Sequence, residues 1–224
     1  MEITGAKELF GDDVTAIIPA YNEENNIAYV LTALTKTNLF KEIIVINDGS
    51  IDETSAVANT YTVTVLDLPK NIGKSQALYR GVEEATSEYI CLFDADVRGL
   101  TTQHMYDLIS PVLRGEVDMT NGIRDRGFLL NWLSVHVLPK LSGERAMKRE
   151  TFLSFPREHM HGLSDTIVMD FFLKRSNGTL LPVLMKNTRL IKKIKKVGII
   201  RGLIGYVKMG YGMATTYALL HILY

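Results

Sequence analysis

The sequence predicts an α/β fold: a mostly parallel sheet with helices on both faces. Two observations predict it. Over the first 125 residues, short β-rich runs alternate with segments whose apolar residues recur at helical spacing. The runs are also continuously apolar, as strands covered on both faces must be.

The elements follow in order. Val14–Ile18 reads as the first strand, ended by Pro19. Asn22, Glu23 and Glu24 mark a helix start, after which Ile27, Val30, Leu31 and Leu34 repeat on one face. Glu42–Ile46 is the second strand. Ser50 with Glu53 fits a capping box opening a helix over Asp52–Tyr61. Val63–Leu66 is the third strand, Ser75–Ala85 the third helix and Tyr89–Phe93 the fourth strand.

Composition narrows the class further. A chain of 224 residues with 46% hydrophobic residues can bury one sizeable core. The lone Cys91 excludes a disulfide framework and a cysteine-rich zinc site, and favours a reducing, cytoplasmic setting. The N-terminus shows no secretory signal, and no spanning helix is expected. Lys plus Arg and Asp plus Glu both number 25, but they are unevenly placed. Residues 186–224 carry eight bases and no acid, which leaves 17 bases against 25 acids in residues 1–185. The expected division is a catalytic domain over 1–185 and a basic, apolar helical segment over 186–224.

In parallel sheets, ligands bind beyond the carboxyl ends of the strands, where the strand order reverses. The polar residues of this sequence cluster at those ends. PAYNEE (19–24) follows the first strand, NDGS (47–50) the second, LPKNIGK (68–74) the third and DAD (94–96) the fourth. Asp94 and Asp96, two residues apart, project to one side, and paired carboxylates suit Mg²⁺ or Mn²⁺ bridging to a diphosphate. Two solvated loop aspartates are the plainer alternative. Asp48 offers an acceptor to a nucleobase N–H, or serves as an acid at a helix start. Tyr21 offers a stacking face. Lys74, just before a helix, can meet a phosphate or be an ordinary surface lysine. No GxxxxGK[ST] loop occurs, which disfavours a Walker-type ATPase.

PAYNEE, NDGS, KNIGKSQALYRG and YICLFDADV, in that order and each at a predicted strand end, resemble the nucleotide-binding half of family 2 glycosyltransferases with the GT-A fold. The resemblance runs from about Val14 to Gly122. It implies that the first motif, including Pro19, Tyr21 and Glu23, holds the nucleoside with Asp48 and Asp94. It also implies that Asp96 ligates the metal and that Lys74 lies by the sugar and phosphates. Downstream, LSGERAMKRE (141–150) resembles the acceptor loop of members that make glucosyl-3-phosphoglycerate or polyprenyl-phosphate sugars. HGLSDTIVMDFF (161–172) stands where such members place an acid opening a helix. By that resemblance Asp165 is the acid near the acceptor, with Gly143, Arg145 and Ala146 along its groove. A plain helix-start acid and a surface arginine are the alternatives for Asp165 and Arg145. Relatives often carry a metal-binding histidine after the next strand; here Asn187 stands near that place, with His159 and His161 the nearest substitutes.

In the tail, Leu190, Ile191, Ile194 and Val197 fall on one helical arc and Lys192, Lys193, Lys195 and Lys196 on the other. Such a helix lies on an anionic membrane surface or packs on the domain with a solvated lysine face. The expected function is transfer of a sugar from a nucleotide-diphosphate sugar, with UDP the expected nucleotide. The expected acceptor is an envelope glycan or a lipid-linked molecule at the inner membrane face, with peripheral contact through 186–208, a homo-oligomer allowed, and no nucleic acid partner. The rivals are a sugar-phosphate nucleotidyltransferase, which should carry an arginine-containing Gly-rich loop where PAYNEE stands, and a non-catalytic nucleotide-binding scaffold.

Overall fold

The computed structural model of the chain describes residues 13–124, 142–160 and 165–190, with Thr215, Leu220 and Ile222. Its centre is a seven-stranded sheet in the order β3-β2-β1-β4-β7-β6-β8. The strands are β1 (Val14–Ala20), β2 (Glu42–Asn47), β3 (Thr64–Asp67), β4 (Tyr89–Leu92), β6 (Met119–Arg124), β7 (Arg145–Lys148) and β8 (Leu180–Met185). A two-residue strand, β5 (Val97–Arg98), pairs antiparallel with β9 (Arg189–Leu190) beside it. The helices are α1 (Ile27–Thr35), α2 (Thr54–Ala58), α3 (Lys74–Glu84), α4 (Thr102–Leu113), α5 (Arg149–Leu153) and α6 (Asp165–Arg175).

The mostly parallel sheet predicted from the apolar runs is present, with one exception. β7 runs antiparallel to both of its neighbours, β4 and β6, while β6 and β8 pair parallel. The start of β7 therefore lies at the same sheet edge as the ends of the parallel strands. The chain reverses direction across the sheet between β1 and β4, so the crevice expected for a ligand opens there.

Every residue of β1 is buried, and two core clusters cover the faces of the sheet. One gathers Ile27, Val30, Leu31 and Leu34 of α1 with Met105, Leu108 and Ile109 of α4. The other gathers Ala77, Leu78 and Val82 of α3 with Phe152 and with Ile167, Val168 and Met169 of α6. Gly81 lets α3 lie close on the sheet, since a Cβ there would run into the side chains of Ile17 and Ile46.

Three local expectations change. β1 continues through Pro19 to Ala20. A proline in a central strand lacks a ladder donor, but β4 pairs with β1 only as far as Ile17, so β4 has already diverged at Pro19. The first helix starts at Ile27, after a turn in which Glu23 Oε2 accepts from Asn26 Nδ2 at 2.7 Å. The capping box of Ser50 and Glu53 does not form, and α2 covers only Thr54–Ala58. Ser50 Oγ instead accepts from the Asn22 N–H at 2.9 Å, while Asp52 Oδ1 accepts from the Thr54 N–H at 3.1 Å. Ser50 thus ties together the loops after β1 and β2 rather than starting a helix. Leu190, expected on the helical arc of the tail, lies in β9 because it pairs with Val97, and the rest of that arc and of 186–208, from residue 191 on, lies outside the described residues. Near the end of the chain, Leu220 is buried in the second core cluster and Ile222 is exposed.

Candidate active site

The loops at the sheet edge are stitched to one another by hydrogen bonds. Glu23 N–H donates to Thr54 Oγ1 at 2.8 Å, Glu24 N–H to Asp52 Oδ2 at 3.2 Å and Glu53 N–H to Glu24 Oε2 at 3.1 Å. Asn22, held at φ 54, accepts from the Ile51 N–H at 3.0 Å. Tyr21 stays 46% exposed beside this seam, leaving its ring open to stack on a ligand.

Asp48 is buried, and both of its oxygens already serve the next loop. Oδ1 accepts from the Ile72 N–H at 2.7 Å and Oδ2 from the Gly73 N–H at 3.0 Å. Burial pushes its carboxyl up in pKa, against the lowering effect of those two donors. Gly73 has φ 89, and Gly49 at φ 67 lies so close to Lys70 and Asn71 that a Cβ would overlap their backbone. Asp48, expected to read a nucleobase, therefore also shapes the turn that aims Lys74 into the site. A second lone pair on each oxygen remains for a ligand.

Lys74, the first residue of α3, donates Nζ to Asp94 Oδ1 at 2.6 Å. Asp94 Oδ2 accepts from Arg124 Nη2 at 2.7 Å. That same nitrogen lies 2.8 and 2.9 Å from the two oxygens of Glu144, which also accepts a short bond from Ser142 Oγ. Burial works against the charge on Asp94, but Lys74 and Arg124 outweigh it and hold the carboxyl down at about 2. Burial likewise opposes the charge on Lys74 and is outweighed by Asp94, Asp165 and Glu144, so its pKa is raised. Burial also opposes the charge on Arg124 and is outweighed by Glu144 and Asp94, with a contribution from Asp96, so its pKa is raised. Gly143 lies against this cluster: a Cβ there would fall on the Asp94 carboxylate.

The structure brings Asp94 and Asp165 near Lys74, and Asp94 and Asp96 near Arg124. Asp94, expected against a nucleoside, has both oxygens occupied by cations. Asp165 opens α6, is buried, and accepts from its neighbour Thr166 at the N–H (2.7 Å) and at Oγ1 (3.2 Å). Arg145 departs from expectation. It is neither a surface arginine nor placed along an open groove: it is fully buried on β7 and donates Nη1 to Asp170 Oδ1 of α6 at 2.7 Å. Consecutive strand residues face opposite ways, so Glu144 turned toward Arg124 leaves Arg145 turned toward α6. Arg145 thus braces the helix that carries Asp165. Asn187 takes a turn conformation at φ 62, and its carbonyl packs on Gly99, three residues past Asp96. His159 stacks on Phe172 at 6.4 Å, and His161 lies outside the described residues.

Sequence reasoning missed Arg124 and Glu144. The available signal was a charged residue closing the uncharged run MTNGI, and an acid directly after SG in LSGERA.

Residues 15–172 match the family described as glycosyl transferase family 2, which is more than half of the chain. The chain belongs to glycosyl transferase family 2. Among curated relatives it is 41% identical over 109 residues to a 4,4'-diaponeurosporenoate glycosyltransferase of Staphylococcus aureus. That match spans 46% of this chain and 29% of the relative, so the chain corresponds to less than a third of that enzyme's length. Among solved structures it resembles glucosyl-3-phosphoglycerate synthase of Mycobacterium tuberculosis. One such structure, with Mn²⁺, UDP-glucose and phosphoglyceric acid, gives a TM-score of 0.74 at 22% identity, covering 97% of this chain and 83% of the other. Another, with Mg²⁺ and UDP, gives 0.72 at 23% identity, covering 85% and 76%. These are likenesses of fold, and they make the family 2 glycosyltransferase sheet of this chain GT-A-like.

Proposed function

We propose that this family 2 domain transfers a sugar from a UDP-sugar to an acceptor hydroxyl, assisted by Mg²⁺ or Mn²⁺. The observation that carries the reading is the convergence of Tyr21, Asp48, Lys74, Asp94 and Asp96 on the sheet edge where the strand order reverses. The fold neighbours in complex with UDP or UDP-glucose and a divalent metal support the choice of donor.

The residues present fit a divalent cation. Among the described residues, the carboxylates of Asp94, Asp96, Glu144 and Asp165 gather around Lys74 and Arg124, a set of oxygen donors that suits a divalent ion. Among the described residues no three His, Cys, Asp or Glu side chains form a metal cage. Asp96 together with the donor's own phosphates would hold the ion, an arrangement Mg²⁺ commonly adopts. When bound, the metal supplies charge neutralisation to the departing diphosphate.

The chain's own groups do the rest. Tyr21 stacks on the base, and Asp48 accepts from its edge while fixing the turn at Gly73. Lys74 sits where charge builds on the departing diphosphate, a stabilisation worth several kcal/mol in order of magnitude. Asp165 orients the acceptor hydroxyl, whose oxygen attacks the sugar C1 as the C1–O bond to the diphosphate breaks. The proton passes to Asp165 if the product is inverted and to the leaving phosphate if it is retained. The acceptor class we favour is an envelope glycan or lipid-linked molecule, on the strength of the basic tail sequence. Among the described residues no helix is long and apolar enough to cross a membrane.

The test is a thermal-shift panel of nucleotides and sugar nucleotides with and without Mn²⁺. UDP and one UDP-sugar should raise the melting temperature in a Mn²⁺-dependent way, and Asp96→Ala should abolish the metal-dependent part. If no nucleotide shifts the protein in either metal state, the donor reading is wrong.

A further inference from the structure

The site contains an arrangement that the proposed transfer does not by itself require. Lys74, the cation offered to the donor's diphosphate, is already bonded to Asp94 at 2.6 Å. Asp94 is only 18% exposed, so taking Lys74 away would strand a largely buried carboxylate, a costly state. A second cation stands on the other oxygen. Arg124 Nη2 reaches Asp94 Oδ2 at 2.7 Å and both oxygens of Glu144 at 2.8 and 2.9 Å.

One nitrogen with two protons thus faces three carboxylate oxygens. Its bonds are shared, and Ser142 Oγ supplies a further proton to Glu144. If Lys74 departs, Arg124 can give one proton wholly to Asp94 and the other to Glu144, and neither acid is left unpaired. Glu144 is fully buried and fixes the guanidinium in place, while Gly143 leaves the space against Asp94 that the cluster occupies.

We propose that Arg124, anchored by Glu144, is a positioning residue that makes Lys74 transferable. Lys74 rests on Asp94. When the donor binds, its ammonium passes to the diphosphate and Arg124 takes over Asp94. This rests on the UDP-sugar reading above.

The experiment measures UDP binding by calorimetry in the presence of Mn²⁺, on the full chain, after each variant's melting temperature has established that it is folded. Arg124→Met with Glu144→Gln removes the second cation together with the acid it would otherwise strand. Asp94 then keeps Lys74, and the Kd for UDP should rise about tenfold, the scale of losing one charged contact. Adding Asp94→Asn to that pair should release Lys74 and lower the Kd about threefold from that of the double variant, a non-additivity that marks direct coupling. The single variant Arg124→Lys, which keeps a cation at Asp94, should recover most of the binding. A role confined to stability predicts no rescue from a third substitution in the same cluster. The proposal is overturned if the triple variant binds UDP as weakly as the double, or if Arg124→Lys binds as weakly as the neutral pair. If wild type itself binds no UDP with Mn²⁺, the donor reading falls and this proposal falls with it. If wild type binds and only the rescue fails, the donor reading stands.

Discussion

At the scale of single residues, what matters most here is where a side chain is pointed and what already occupies it. Gly143 shows this without any side chain, because its backbone lies against the Asp94 carboxylate. Gly143→Ala should therefore overpack the cluster and cost about 1–3 kcal/mol of stability, read by chemical denaturation. An unchanged denaturation midpoint would mean that the loop simply moves aside. Arg145 makes the complementary case. Its fully buried guanidinium pairs with Asp170, whose side chain is 19% exposed. Arg145→Met should lose about 3 kcal/mol by leaving that carboxylate unpaired. Part of the loss should return on adding Asp170→Asn, since the acid left behind is then neutral. The motif resemblance placed Arg145 near the acceptor. The alternation of strand side chains instead gives the site Glu144, one position earlier.

At the scale of elements, helix starts decide several outcomes. α4 opens with a capping box in which Thr101 Oγ1 accepts from the His104 N–H and His104 Nδ1 accepts from the Thr101 N–H, both at 3.3 Å. Only a neutral imidazole can accept there. Burial lowers the His104 pKa from 6.5, against opposing contributions from Asp107 and the Lys186 backbone. A histidine lowered in the folded state contributes stability that is present above its unfolded pKa and is lost as pH falls toward its folded one. The melting temperature should therefore drop as pH is taken from 7 to 5.5. His104→Gln keeps an acceptor that does not titrate, so its drop should be shallower. Equal slopes for the two proteins would remove His104 from the account. The capping box expected at Ser50 and Glu53 failed for a tertiary reason. The Ser50 hydroxyl found a partner in the loop after β1, at Asn22, which a local pattern cannot anticipate.

For the whole molecule, a net formal charge of zero hides a strongly acidic sheet edge. Among the described residues, Asp94, Asp96, Glu144 and Asp165 gather there around Lys74 and Arg124, so a divalent ion and an anionic diphosphate should each help the other to bind. Mn²⁺ alone and UDP alone should give small thermal shifts, and the two together a shift larger than their sum. Strict additivity would place the two ligands at separate sites.

The sequence alone determined the sheet class, the order of the first four strands' loops and the identity of most polar groups at the edge. Continuously apolar runs admit few packings, and a parallel strand must deliver its following loop to the carboxyl edge. Tyr21, Asp48, Lys74, Asp94 and Asp96 were legible for that reason. Only the tertiary structure decided that β7 runs against its neighbours, which carries Gly143 and Glu144 from the beginning of a strand to the edge where other strands end. It alone set β6 beside β7, so that Arg124 meets both Glu144 and Asp94, residues 20 and 30 positions away in the chain. Strand direction and neighbour order arise from packing between distant segments, and local periodicity carries no record of either.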